Sequence, residues 1–437
     1  MAQSKESINP WTTEDEREHF PSIMEWWCIE TFFKSVENNK SWNLKASFAE
    51  WLEKSKEPGS IFNMTLFDQD TGKHLIYSSR IDSNKLKSSK NSFDVRFDES
   101  FIKGTYPNYT VHLNDRKNNI KLDINYHAES MPHWVAQDVT GGWLPMGLGF
   151  YRYGFIPKCN VSGKMIMDNK AFSLEGKGYF EHVWGDFSYS SPISNLLEIK
   201  KTLSVYSKLI GWWLHNNKIH IPKSIKFSTE NNPFGYDWAW GLLDNGWTIY
   251  YGNILFWIMN GPITGTLILS KDGKTYKEFP RVRFHYNMTK YAKEYDFYYP
   301  TDLEVTATQG KEKLHLHFKM TAEAREYVSR FADGKYWLGF VICEAPGIVE
   351  GYYQDGKEKT KLSGICKIEP QRQTSVIGHN SLQIDFLKPP KGIGISLNLD
   401  SHHLRKKIYT KIQLAPRPKI KCSFKRINSS KINKKTR

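Results

Sequence analysis

The residues best suited to chemistry lie in one stretch, Gly176-Lys-Gly-Tyr-Phe-Glu-His-Val-Trp-Gly-Asp186, where a carboxylate sits beside an imidazole among aromatic side chains. Carboxyl and imidazole groups are frequent partners in general acid and base catalysis. In strand geometry alternate side chains share a face, so Tyr179, Glu181 and Val183 are expected on one side and Phe180, His182 and Trp184 on the other. Two readings stay open from these residues: a titratable group against the aromatic wall of a cavity, or an acid and histidine that merely hold a strand end.

The elements that must position this stretch read as short antiparallel strands. From Ile61 to Tyr126 the chain alternates apolar and polar with period two, as in Ile61-Phe-Asn-Met-Thr-Leu-Phe67, Tyr109-Thr-Val-His-Leu113 and Ile120-Lys-Leu-Asp-Ile124. Turn composition separates these runs at Asp70-Thr-Gly72, Lys103-Gly104, Tyr106-Pro107-Asn108 and Asn114-Asp115. The pattern predicts a mainly β, antiparallel barrel or sandwich. Ser41 to Glu53 reads as either a short helix or a strand. Val161-Ser-Gly-Lys-Met-Ile-Met167 and Ala171-Phe-Ser-Leu174, joined at Asp168-Asn169, form a hairpin that delivers the chain into the Glu181-His182 stretch, late in the last strand of a first domain.

The period then changes. Leu196, Ile199, Leu203, Tyr206, Ile210 and Trp213 recur at three and four residues, one stripe of a helix within 192–215. Such a helix either packs on a barrel or rests on a membrane surface with Trp212 and Trp213 at the interface. A second strand-rich block echoes the first: Tyr236-Asp-Trp-Ala-Trp240 follows Met24-Glu-Trp-Trp-Cys28, and Thr264–Ser270 follows Ile61–Phe67. Likewise Gly351–Gly356 and Lys361–Glu369 follow Gly163–Asn169 and Phe172–Glu181 in the same order. These echoes point to two copies of one β domain. In the second copy Ile368-Glu369 runs into Pro370, with no counterpart of His182.

The 437 residues carry a formal charge of +15. Thirteen lysines and arginines and no acid lie beyond Asp400, which leaves the preceding chain at +2. Nucleic-acid binding is disfavoured, because the positive charge is gathered at the end rather than interleaved with aromatics on a folded face. The expected boundaries are a lead-in over 1–20, a first β domain over 21–190, a helical connector over 191–230, a second β domain over 231–416 and a basic disordered tail over 417–437. The five cysteines are widely spaced, so no zinc motif or disulfide framework is expected, and no cofactor or metal. No secretory leader or membrane span is legible, so the expectation is a cytoplasmic protein, with the tail and the 192–215 helix available to a membrane surface.

Two stretches together resemble a known family. Asp15-Glu-Arg-Glu-His-Phe-Pro-Ser-Ile-Met-Glu-Trp-Trp27 is similar to the acidic, His-Pro, Glu-Trp-Trp opening of the lipocalin-like family that includes carotenoid 1,2-hydratase (hydroxyneurosporene synthase) and related secreted lipocalin-like hydrolases. Tyr151-Arg-Tyr-Gly-Phe-Ile-Pro157, Val161-Ser-Gly163 and Gly176–Gly185 resemble the family's Tyr-Tyr…Pro, Val-Ser-Gly and Asp-His-x-Trp run. The resemblance implies two lipocalin-like β-barrels, an apolar substrate and, in the hydratases, addition of water to an isoprenoid double bond. His182 and Trp184 match the family's His-x-Trp, and Glu181 stands where the family usually has Asp. The hydratases also use a Tyr and an Asp two positions apart; here the region reads Tyr250-Tyr-Gly-Asn253.

Acid-catalysed hydration, isomerisation or cyclisation of an alkene needs a buried proton donor, aromatic faces that stabilise a carbocation by roughly 1–2 kcal/mol each, and controlled access of water. The expected catalytic residues are Glu181 and His182 as acid and base, with Tyr250 and Tyr251; Trp184, Tyr179, Trp26, Trp27, Trp238 and Trp240 are the expected cavity wall. The competing reading is a non-catalytic carrier that holds an isoprenoid, quinone or lipid in a barrel pocket. Nucleophilic hydrolysis finds no Gly-x-Ser-x-Gly.

Overall fold

A computed structural model describes the chain apart from residues 1–10, 53–58, 83–84, 147–148, 188–197, 218–223, 229–234, 255–263, 296, 331–338, 375–379, 388–392, 402–404, 416 and 427–437. The first sheet is built from β1 (Met24–Ser35), β2 (Lys40–Trp51), β3 (Gly59–Asp68), β4 (Lys73–Ile81), β5 (Leu86–Lys87), β6 (Phe93–Phe97), β7 (Ser100–Thr105), β8 (Asn108–Asp115), β9 (Ile120–Ala128), β10 (His133–Trp134), β11 (Trp143–Met146), β12 (Gly149–Met167) and β13 (Lys170–Asp186), with a one-turn helix α1 (Gln137–Thr140). Its strand order is β4-β3-β2-β1-β13-β12-β9-β8-β7-β6-β5, with β10 and β11 paired to β12.

Period-two patterning dictates the burial. Along β9, Ile120, Leu122, Ile124, Tyr126 and Ala128 turn inward while the residues between them are exposed. The enclosed face of the curled sheet is filled by Trp27, Trp42, Phe48, Phe62, Phe97 and Phe180, each almost wholly buried. Burying one such side chain contributes about 1.5–3 kcal/mol. Ser41 to Glu53, open between helix and strand in the sequence, is largely β2. β13 departs from alternation: from Tyr179 to Gly185 every residue is buried, so its outer face is covered as well.

After α2 (Ile199–Asn216) come β14 (Ser224–Ser228), β15 (Gly235–Leu243), β16 (Thr248–Ile254), β17 (Thr264–Ser270), β18 (Lys277–Phe279), β19 (Arg281–Ala292), β20 (Phe297–Gln309), β21 (Glu312–Met320), β22 (Arg325–Arg330), β23 (Gly339–Asp355) and β24 (Glu358–Thr374). The second sheet runs β18-β17-β16-β15-β24-β23-β21-β20-β19, with β22 paired to β23. This is the order of the first sheet with β15 to β18 in place of β1 to β4, and β24, β23 and β21 in place of β13, β12 and β9. Gly163 and Gly351 occupy equivalent places before the two hairpin turns. A Cβ on either would lie 2.0 Å from a carbonyl oxygen of the next strand, Asp123 or His315. The chain therefore has a mainly β fold of two curled, antiparallel domains, the duplication that the internal echoes predict, and it is lipocalin-like, as the family resemblance implies.

Counted from the matching turns, Glu369 stands at the place of Glu181 and Pro370 at that of His182. β24 nevertheless continues past Pro370 to Thr374. Proline lacks a ladder donor, and the pairing resumes at Gln371 and Arg372, opposite Ile342 and Val341.

Three expectations are revised. The second sheet ends at Thr374, and β14 joins β25 (Asn380–Leu387), β26 (Ile393–Ser401), β27 (Lys406–Ala415) and β28 (Lys419–Arg426) in a separate five-stranded sheet. The supposed disordered tail thus contains a strand, paired with β27. Its basic composition hides an alternation of Ile420, Cys422 and Phe424, and lysines are common on sheet edges. The helix begins at Ile199, with Leu196 outside the described residues, and it buries Thr202, Val205 and Leu209 rather than the expected stripe. Leu203 and Ile210 are exposed, and the Lys201 ammonium lies 3.8 Å from the Trp143 ring centre and 4.2 Å from that of Phe150.

The chain divides into two compact units. The first comprises residues 1–215 with 240–250 and 268–278; the second comprises 216–239, 251–267 and 279–437. No described helix is long and apolar enough to cross a membrane.

Candidate functional site

β13 sends Glu181 and His182 to opposite faces, as strand geometry requires. Glu181 lies on the outer face of the first sheet, in the part buried on both sides. Trp26 Nε1 donates to its Oε1 at 3.0 Å, and the Tyr179 hydroxyl donates to Oε2 at 2.8 Å. The Tyr153 hydroxyl also donates to Oε2. Three donors converge on one buried carboxylate, and each phenol spends its single proton there.

The surroundings are aromatic. Tyr250, from β16 and within the first unit, stacks on Phe155 with ring centres 4.6 Å apart and meets Tyr153 edge-on at 5.8 Å. Trp240 packs on Tyr179 at 5.3 Å and is anchored by Nε1 donating to the Pro157 carbonyl at 2.8 Å. Burial, reinforced for Tyr153 and Tyr179 by the Glu181 charge, holds the phenols of Tyr153, Tyr179 and Tyr250 well above their usual range. They remain protonated donors at neutral pH. Phe155 also meets, edge-on at 5.8 Å, the imidazole of a second acid and histidine pair, His133 Nε2 with Glu278 Oε1 at 2.9 Å, which stacks on Tyr276.

His182 faces the filled interior. Its Nδ1 donates to the Asp15 carbonyl at 2.7 Å, its Nε2 meets Glu25 Oε1 at 2.8 Å, and its ring stacks on Trp27 at 4.8 Å. Burial pushes the imidazole below its usual value. Trp184 shares this face and stacks on His19 at 3.7 Å. The two stretches that carry the family resemblance therefore meet here: the first supplies His19 and Glu25, and β13 supplies His182 and Trp184. Nearby, Glu16 accepts from the Tyr109 hydroxyl at 2.6 Å and from the Tyr106 amide at 3.1 Å, fastening the lead-in to the sheet.

Of the ten residues singled out in the sequence, the structure gathers Glu181, Tyr179, Tyr250, Trp26 and Trp240. It separates His182, Trp184 and Trp27, which alternation turns to the interior face. Tyr251 and Trp238 belong to the second unit, where Tyr251 packs on Phe318 at 4.9 Å and Phe284 at 5.6 Å. Being next to Tyr250 on one strand, Tyr251 must point the other way. The enclosed face of the first curl carries the buried core of that sheet, Trp27, Trp42, Phe48 and Phe62 among it. Sequence reading missed Tyr153, Phe155, His133 and Glu278. The first two sit in the Tyr151-Arg-Tyr-Gly-Phe155 run, whose alternation already places Tyr151, Tyr153 and Phe155 on one face.

No family model matches the chain, and no curated protein sequence does. Among solved structures, a Nitrosomonas europaea protein provisionally named AttH is similar over 81% of this chain and 95% of its own, with a TM-score of 0.55 at 16% identity. Kievitone hydratase from Nectria haematococca is similar over 83% of this chain and 93% of its own, with a TM-score of 0.55 at 13% identity. At these identities the likeness is one of fold, and it spans most of both proteins.

Proposed function

We propose that the protein is a hydratase or isomerase that moves a proton to and from a carbon-carbon double bond of an apolar molecule, with Glu181 as the proton carrier. The observation that carries this reading is the convergence of Trp26, Tyr153 and Tyr179 on the Glu181 carboxylate, beside the stacked faces of Phe155 and Tyr250. The kievitone hydratase fold supports it. Because His182 lies on the other face, one group serves both half-reactions. The Glu181 carboxyl gives its proton to an alkene carbon, and the carbocation rests against the aromatic faces. Water adds to the cation, and its surplus proton returns to the carboxylate, so that alkene and water become alcohol and Glu181 is regenerated. The three donors receive the carboxylate at each turn. An isoprenoid substrate, as the sequence resemblance implies, suits the aromatic lining.

The test is mass spectrometry of polyprene and carotenoid extracts incubated with the protein in oxygen-18 water. A labelled alcohol that disappears with Glu181→Gln supports the reading. A lipid recovered bound and unchanged from both proteins would overturn it in favour of a carrier.

A further inference from the structure

We propose that His19 Nδ1, a Glu25 carboxylate oxygen and His182 Nε2 form a binding site for a divalent cation of the zinc class. One ligand atom from each of the three residues lies within 4.8 Å of the others, and Glu25 Oε1 is 3.2 Å from His19 Nδ1 and 2.8 Å from His182 Nε2. The set stands on the face of β13 opposite Glu181 and is independent of the chemistry proposed there.

The first argument is a count of protons. The Asp15 carbonyl can only accept, so the bond at 2.7 Å requires His182 to carry its hydrogen on Nδ1. A neutral imidazole then turns the lone pair of Nε2 toward Glu25 Oε1, 2.8 Å away, which is itself an acceptor. The same oxygen faces His19 Nδ1 at 3.2 Å, and both Glu25 oxygens already accept the His19 amide at 3.0 Å. Two acceptors so placed need a positive centre between them, either a proton on Nε2 or a metal ion.

The second argument is charge. Across the ladder Glu25 stands opposite Glu50, and Glu50 shares the Ser88 hydroxyl with Glu18 at 3.3 and 2.9 Å. Among the described residues no lysine or arginine pairs with any of these three carboxylates. One extra proton would neutralise a single carboxylate, whereas a divalent ion offsets two.

The third argument is orientation. Histidines that bind metals usually donate their other ring nitrogen to a carbonyl or carboxylate, which sets the tautomer and aims the ring. His182 does so through Asp15 and is clamped by Trp27, while Trp184 stacks on His19. Two imidazoles and one carboxylate make a borderline-soft set that suits zinc and leaves a fourth position for water. His19 is partly exposed at the rim and gives the ion a route in. Bound there, the ion ties the lead-in to β13.

The experiment strips the full-length protein with chelator, dialyses it against zinc, and measures retained metal by plasma mass spectrometry and unfolding by calorimetry. A single zinc per wild-type chain and a higher Tm with zinc are expected, both lost in His19→Ala and Glu25→Gln and kept in His112→Ala. Failure of the wild type to retain zinc, or equal retention by His19→Ala, overturns the proposal. If Glu25→Gln does not fold, His19→Ala decides, with circular dichroism as the check on its fold.

Discussion

The Tyr179 hydroxyl reaches Glu181 Oε2 at 2.8 Å, a bond between residues two apart on one face of a strand. His182 turns to the other face and meets Glu25 at 2.8 Å. One stretch of chain thus serves two separate networks, and substitutions in them should read out differently.

Glu181→Gln is expected to lower turnover of any hydrated substrate by about 10²–10⁴-fold, the usual weight of a positioned acid or base. Its amide turns an NH2 toward a group that donates to the carboxylate, so Tm should fall as well, while ligand binding is retained. His182→Asn breaks buried bonds to Asp15 and Glu25, at a cost of about 1–3 kcal/mol for each group left unpaired. Initial rates and thermal unfolding of the two variants, measured side by side, check the separation.

Glu50 is pushed up to about 7, first by burial and then by the charges of Glu25 and Glu18. Because the folded form holds its proton more tightly than the unfolded chain, the penalty is absent below about pH 4.5 and grows as pH rises toward 7. In metal-free protein Glu50→Gln should stabilise by about 1–2 kcal/mol at pH 8 and have little effect at pH 4.5. Urea midpoints at the two pH values test this.

In the second unit Arg372 Nη1 donates to the Gln371 and Tyr236 carbonyls and forms an ion pair with Asp237 Oδ1 at 2.7 Å; Asp237 is fully buried, and Tyr286 donates to its other oxygen. Burial pulls the Arg372 guanidinium down, and the Asp237 charge beside it more than compensates, so its proton is held more tightly than usual. Arg372→Met leaves a buried charge without its partner and should destabilise by about 3–5 kcal/mol. Loss of cooperative unfolding in denaturant titration would show it; an unchanged midpoint would contradict the role of the pair.

The rotation of α2 makes a sharp contrast. Leu203 is 56% exposed and Val205 is 6% exposed. Leu203→Lys should change stability by about 0.5 kcal/mol or less, whereas a charge at position 205 should cost several kcal/mol. Thermal melts of Leu203→Lys and Val205→Lys decide between this orientation and the one suggested by the apolar stripe.

Local pattern determined a good deal of this protein. Period-two runs such as Ile120–Ile124 specify strands because side chains alternate across a pleat, and the echo of Gly163 and Glu181 in Gly351 and Glu369 marks the duplicated domain. Alternation alone also sends Glu181 and His182 to opposite faces. What the sequence could not decide is which face of each strand meets what. That depends on residues far apart along the chain, and only the tertiary fold brings Tyr153, Phe155 and Tyr250 to Glu181, or His19 and Glu25 to His182. The helix shows the same limit: its apolar stripe is legible, but the side it buries depends on what the fold packs against it, and the basic end of the chain becomes an edge strand because β27 offers it a ladder.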